Sequence, residues 1–281
     1  MNVLLEPLQY AFMLRAFTAS VMVGVLCAVM GTYVVLRGMA FLGDALAHAI
    51  LPGVAIAYLL HGNLLVGALV AAVVVALGIG VFSRQGTVKE DTAIGILFAA
   101  ALSLGVALIS SIKTYAVDLS HILFGNVLGV SSVDLWLTGG LGLLILLTVL
   151  LLFKPFLVIS FDPVLAATMR LPANLLRMLM LVLLALTVVV SLQTVGVGLA
   201  AAMLVTPAAT AYLLTRRLVP MMLLSALLGA LSSVIGLYLS YYIDVVSGAA
   251  IVLTATLFFL FAFLFAPRQG VWRKRTTTSN S

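Results

Sequence analysis

The chain has 281 residues, of which 64% are hydrophobic and only 8% charged, and its mean hydropathy is +1.33. That excludes an ordinary water-soluble domain, where charged side chains make up about 25% of residues and apolar surface on this scale would be exposed to water. The net charge of +6 does not mark a nucleic-acid binder, because the basic residues sit at the ends of apolar runs, where topology signals belong.

The runs are continuous, unlike the alternating strands of a membrane barrel. They predict an all-α, polytopic transmembrane helix bundle with nine candidate spans at 13–36, 39–60, 64–82, 93–112, 132–153, 176–193, 196–215, 219–241 and 249–266. Each approaches the roughly 20 residues that cross about 30 Å of hydrocarbon. The first span, and the pair divided at 193–198, are the places where the count falls to eight. We expect one transmembrane domain over 1–281. The N-terminus lacks a cleavage site, so the first helix is expected to remain in the mature chain. Cys27 is the one cysteine, so neither a disulfide nor a thiolate metal cluster can form within the chain.

With the C-terminus placed in the cytoplasm, 12 of the 14 Lys and Arg residues fall inside, and only Arg15 and Lys113 fall outside. This predicts a multi-pass cell-membrane protein with its tail, 267–281, on the inner side.

The second span contains an unusual pair. Asp44 and His48 lie four residues apart and share one helix face. A carboxylate in hydrocarbon costs at least ~2.5–3.5 kcal/mol, so such residues face a cavity, a partner or an ion. Carboxylate with imidazole suits Mn, Fe or Zn; the plainer alternative is that the two side chains pair and stabilise packing. Pro52 has no N–H, so the His48 carbonyl loses its helical donor, and Pro52 with Gly53 marks a helix break near a pathway. The glycines of 193–198 and Pro207 mark a second break.

Further along, Asp118 and His121 fall on the outer side, as metal or partner contacts or as plain interfacial residues. His61 reads as an outer turn and Asp244 as a cap of the last span. On the inner side, SFDPVLAATMRLP predicts a short helix over about 162–171, capped by Asp162, opened by Pro163 and ended by Pro172. Its face carries Val164, Leu165, Thr168 and Leu171. It either lies on the membrane surface or docks a cytoplasmic partner. The chain has no G-x-x-x-x-G-K-[ST] loop for ATP, no H-E-x-x-H helix, and no second intramembrane Asp for a protease dyad. An enzyme is not expected.

Six stretches together, VLRGMAFLGDALAHAILPG, EDTAIGILF, DLSHILFGNVL, SFDPVLAATMRLP, LQTVGVGLAAAMLVTPAATAYLL and SGAAIVLTATLFFL, resemble the permease subunits of bacterial ABC importers for manganese, zinc or iron, the ABC-3 type. The resemblance runs from about Phe17 to Pro267. It implies a type II ABC-importer-like bundle that forms its pathway with a second permease subunit. It also implies two cytoplasmic ATPase subunits, an outer metal-binding protein, a transported metal ion and no permanently bound cofactor. In that family the metal contacts of the GDAxxHA motif fall on Asp44 and His48, in mid-pathway. The ATPase-docking helix falls on 162–171, with Asp162, Leu165, Ala167, Met169 and Leu171. A permease for a metal chelate, such as a cobalamin or a siderophore, is the alternative. The resemblance does not choose among the three metals.

Overall fold

The computed structural model describes residues 6–84, 88–111, 127–161, 163–215 and 217–265. Twelve α-helices account for most of them. The first six are α1 (Ala11–Leu36), α2 (Leu42–Ala49), α3 (Leu51–Leu59), α4 (Leu64–Phe82), α5 (Glu90–Ser110) and α6 (Ser132–Leu151). They are followed by α7 (Phe153–Phe161), α8 (Pro163–Thr168), α9 (Ala173–Val195), α10 (Val197–Leu214), α11 (Leu218–Ile243) and α12 (Ser247–Phe265). No strand occurs among the described residues. Among the described residues, eight segments are long and apolar enough to cross a membrane, α2 and α3 together forming one of them, Leu42–Leu59. A ninth apolar helix, Gly198–Leu214, is shorter.

Apart from α2, the long helices are apolar on nearly every side, so each must be wrapped by other helices or by lipid. Burial sorts them into two groups. At the centre lie α1, the α2–α3 span and α9, with Met30, Tyr33, Leu46, Leu184 and Val188 shut off from the surface. Around them, α4, α5, α6, α11 and α12 turn Leu, Val and Phe outward; Leu143, Leu223 and Phe261 are examples.

Small residues let the backbones touch. A Cβ on Gly24 of α1 would lie 2.9 Å from the Gly229 carbonyl oxygen of α11, and a Cβ on Gly31 would overlap the Leu204 carbonyl of α10. Gly53 of α3 and Gly67 of α4 meet in the same way. Hydroxyls then bridge the seam between α1 and α11: Ser225 Oγ donates to the Ala28 carbonyl and Ser233 Oγ to the Ser20 carbonyl, both at 2.9 Å.

Local chemistry sets the helix ends. The Asn63 side chain accepts the Leu65 N–H at 2.9 Å and starts α4. Ser131 and Asp134 form a reciprocal capping box that starts α6. Gly196, at φ 85° and ψ 170°, ends α9 and admits α10, in a conformation glycine takes far more readily than other residues.

Three sequence expectations shift. The inner connection read as a loop after 153 begins instead with a helix, α7, because FKPFLVISF keeps an apolar face that packs Phe156 edge-on against the ring of Tyr33. Pro207 lies inside α10, which runs through it, so the break in this region is at Gly196 alone. Asp244 ends α11 in the left-handed region at φ 58°, where Asp is one of the tolerated residues, rather than opening the last span.

Candidate metal-transfer site

Asp44 lies in the first turn of α2 and His48 in its last. The opposite face of α2 fixes their direction. Leu42, Gly43, Leu46 and Ala47 are buried, and a Cβ on Gly43 would stand 2.7 Å from Leu204 Cδ2 of α10. Only the remaining face is open, and it carries Phe41, Asp44 and His48. His48 Nε2 lies 3.6 Å from Asp44 Oδ1, and the two side chains are 32% and 46% exposed. Open pairing of this kind leaves both groups with capacity for another ligand. Counted from Leu42, Asp44 is the third and His48 the seventh residue of an 18-residue span. The pair therefore lies toward the Arg37 end of the bundle, not at its middle.

Phe98 of α5 forms the side wall. Its ring stands edge-on to the His48 imidazole, with centroids 6.1 Å apart and planes at 61°. The same ring meets Phe41 at 5.4 Å and 87°. Just beyond His48 the helical ladder breaks at Pro52, and the His48 carbonyl takes the N–H of Ile50 instead. Pro52 and Gly53 line a separate groove of about 590 Å³ between α3, α4 and α5, together with Ile56, Val70 and Leu104. Its walls are almost wholly apolar, so it offers no ligand set.

Among the described residues, no group of three or more His, Cys, Asp or Glu side chains comes together. At this site the described residues thus present two potential metal donors, Asp44 and His48. Asp118 and His121 lie outside the described residues, as does Asp162, and nothing is described of the Ala167 side chain.

The predicted inner helix is present but shorter, as α8, Pro163–Thr168. Arg170, at φ 55°, ends it before Pro172, which instead precedes α9. Phe161, Leu165 and Met169 are exposed at intervals of four, while Ala166 is buried and Leu171 packs on the core.

The sequence reading used three charges near the site only as topology markers, or not at all. Arg37, just past α1, bonds through Nη2 to Glu90 Oε2 at 3.0 Å, with the side chains only 13% and 19% exposed. Arg177 of α9 donates through Nη2 to the Gly80 carbonyl at 2.9 Å and to Ser83 Oγ at 3.0 Å, at the end of α4. Burial pulls the Arg37 pKa down, Glu90 raises it and Arg177 lowers it again. Local periodicity cannot reveal contacts between residues 53 positions apart. The available signal was that all three residues fall at the same end of the bundle, Arg37 after the C-terminus of α1 and Glu90 and Arg177 near the N-termini of α5 and α9.

The model of the family described as "ABC 3 transport family" matches residues 9–266. The manganese transport system membrane protein MntC of Halalkalibacterium halodurans is 50% identical over 95% of this chain and 93% of its own length. The manganese import system permease protein ScaB of Streptococcus pneumoniae is 42% identical over 93% of both chains. A probable iron transport system membrane protein of Haemophilus influenzae is 41% identical over 96% of both. Among solved structures, PsaBC from Streptococcus pneumoniae in complex with Fab superposes with a TM-score of 0.84 at 42% identity, covering 97% of this chain and 98% of that one. A metal-chelate type ABC transporter in an inward-facing conformation shares the fold, with a TM-score of 0.69 at 18% identity over 90% and 86% of the chains. A helix bundle of this architecture, matched along nearly its whole length by one family model and by close relatives, belongs to the ABC 3 transport family.

Proposed function

We propose that this chain is the transmembrane permease subunit of an ATP-driven importer of divalent transition metal ions. The observation that carries the proposal is the Asp44–His48 pair, half-exposed on the one polar face of a helix whose other faces are buried. Left against lipid, that carboxylate would be costly. Placed beside a second permease subunit it faces its own counterpart, and two copies offer two carboxylates and two imidazoles around one axis. Such a set replaces part of the water shell of Mn, Fe or Zn. It stays weak enough to release the ion, as a conduction site must. The relatives named for manganese and for iron favour those metals.

In this reading the basic end of the bundle and the C-terminus are cytoplasmic, following the 12-to-2 distribution of Lys and Arg. Two cytoplasmic ATPase subunits dock on α7 and α8 through Phe161, Leu165 and Met169, with Asp162, Ala167 and Leu171 alongside, and an outer binding protein delivers the ion. Asp118 and His121 are candidates for its reception. ATP is hydrolysed by the partners.

The test is uptake by the complete complex in proteoliposomes, with ATP and binding protein, offered free Mn²⁺, Zn²⁺ and Fe²⁺ in competition and, separately, a cobalamin or a siderophore. Uptake of a free ion that Asp44→Asn abolishes supports the proposal. Uptake of the chelate alone, unaffected by Asp44→Asn, overturns it in favour of a chelate permease.

A further inference from the structure

Glu90 is only half used. Its Oε2 holds Arg37 at the end of α1, but Oε1 is buried and has no hydrogen-bond partner among the described residues. Arg177 on α9 is its mirror image: Nη2 is bonded to α4, while Nε is buried and has no partner among the described residues. Arg177 is near enough to Arg37 to oppose its charge. Glu90, bonded to Arg37 alone, thus lies in a part-buried cluster beside α9, where Arg37 Nη1 meets Met180 one turn beyond Arg177, and one acceptor on Glu90 and one donor on Arg177 have no partner among the described residues. Leaving such groups unpaired is costly, which favours any arrangement that satisfies them. Arg37 is held loosely on its other side, where Nη1 approaches Met180 Sδ at only 3.9 Å.

The helices that carry these residues are the ones that matter for transport. Glu90 is the first residue of α5, and Phe98, about 12 Å further along the same helix, forms the wall of His48. Arg177 lies early in α9, which packs against both α7 and α8. A movement of the docking helices therefore reaches α9 directly.

We propose that Glu90 is a two-position clasp, exchanged between Arg37 on α1 and Arg177 on α9, and that the exchange shifts α5, and with it Phe98, relative to His48. The structure holds the Arg37 position. The second position pairs Glu90 with Arg177. Exchange between two discrete ion pairs is a recognised way for packed helices to switch. The role of this clasp in gating rests on the metal-permease reading above.

The experiment compares Mn²⁺ uptake per ATP hydrolysed in the reconstituted complex, alongside permease amount and ATPase association. Arg177→Met leaves the Arg37–Glu90 pair intact, so a static staple predicts parental coupling, whereas the clasp predicts a roughly tenfold fall in the ratio, within the range of coupling between sites. Ser83→Ala controls for the bond Arg177 makes to α4 and is expected to keep the parental ratio. If Arg177→Met matches the parent, or Ser83→Ala falls as far, the clasp is overturned. The charge exchange Arg37→Glu with Glu90→Arg rebuilds the first pair but sets two positive groups against each other in the second. The clasp expects it to assemble and remain uncoupled, with recovery on adding Arg177→Glu. Recovery by the double exchange alone overturns the proposal. Should the exchanged forms not assemble, Arg177→Met with its control decides. Because every variant keeps Asp44 and His48, an error in the metal-site assignment shows separately, as normal uptake by Asp44→Asn.

Discussion

The ring of Phe98 stands edge-on to the imidazole of His48, 6.1 Å away between centroids, although the two residues lie on different helices fifty positions apart. Edge-to-face contacts of this kind are worth about 0.5–1.5 kcal/mol, enough to hold His48 in one rotamer while its nitrogens stay available. Phe98→Ala is expected to lower Mn²⁺ uptake about 3–10-fold, the loss that this energy corresponds to, with permease amount and ATPase association unchanged. Phe98→Tyr, which keeps the ring, is expected to retain most of the activity. Equal uptake by Phe98→Ala and the parent would remove the positioning role.

Asp44→Asn keeps the shape and hydrogen-bonding size of the side chain but removes the charge that lowers the cost of a divalent ion in a low-dielectric path. Together with His48→Ala it is expected to cut uptake at least ~10-fold per substitution, in line with the loss of a metal-binding group. The protein should still insert and still associate with its ATPase. Normal transport by both variants would reduce the pair to helix packing.

On the docking surface, Leu165→Asp or Met169→Asp puts a charge where exposed apolar side chains now stand. Either is expected to reduce ATPase co-purification sharply without lowering the amount of permease in the membrane, and Ala167→Glu to uncouple hydrolysis from uptake. Undiminished co-purification by both charged variants would place docking elsewhere.

Two glycines separate packing from propensity. A Cβ on Gly31 overlaps the Leu204 carbonyl, whereas one on Gly140 meets nothing within 4 Å. Gly31→Ala is expected to cost about 1–3 kcal/mol through overpacking and to lower the unfolding temperature in detergent. Gly140→Ala should be neutral or slightly stabilising, as replacing an unneeded helical glycine is. A similar thermal shift for both would mean that the α1–α10 seam is looser than described.

The membrane class and the spans were legible because hydrocarbon imposes one demand, an unbroken apolar run, which is a local property of sequence. Asp44 and His48 were legible for the converse reason: ionisable residues in such a run stand out, and their spacing of four fixes a shared face. Helix α7 was missed because its Lys154 and Pro155 read as the end of a span, while its apolar face packs on residues such as Tyr33, far away in sequence. Pro207 was over-read, since a proline can sit inside a packed membrane helix whose neighbours hold it in place. Glu90 and Phe98 were present in a recognised motif, but their roles depend on Arg37 and His48 coming from other helices, which no window of sequence contains.

The glycine seams have a mechanical consequence. Gly53 meets Gly67 backbone to backbone, and a Cβ on Gly105 would stand 2.7 Å from Leu51 Cβ, so α3, α4 and α5 are closely joined. Gly24 with Gly229, Gly31 against Leu204, and Gly236 against Ile251 weld α1, α10, α11 and α12. Helices joined so closely move together rather than singly, so a shift of α5 relative to His48 carries α3 and α4 with it across the break at Pro52. The seams thus make two groups of closely joined helices within the bundle, and Gly38, with a φ of 70° and open surroundings, forms the turn from α1 of one group to the α2 face that bears Asp44.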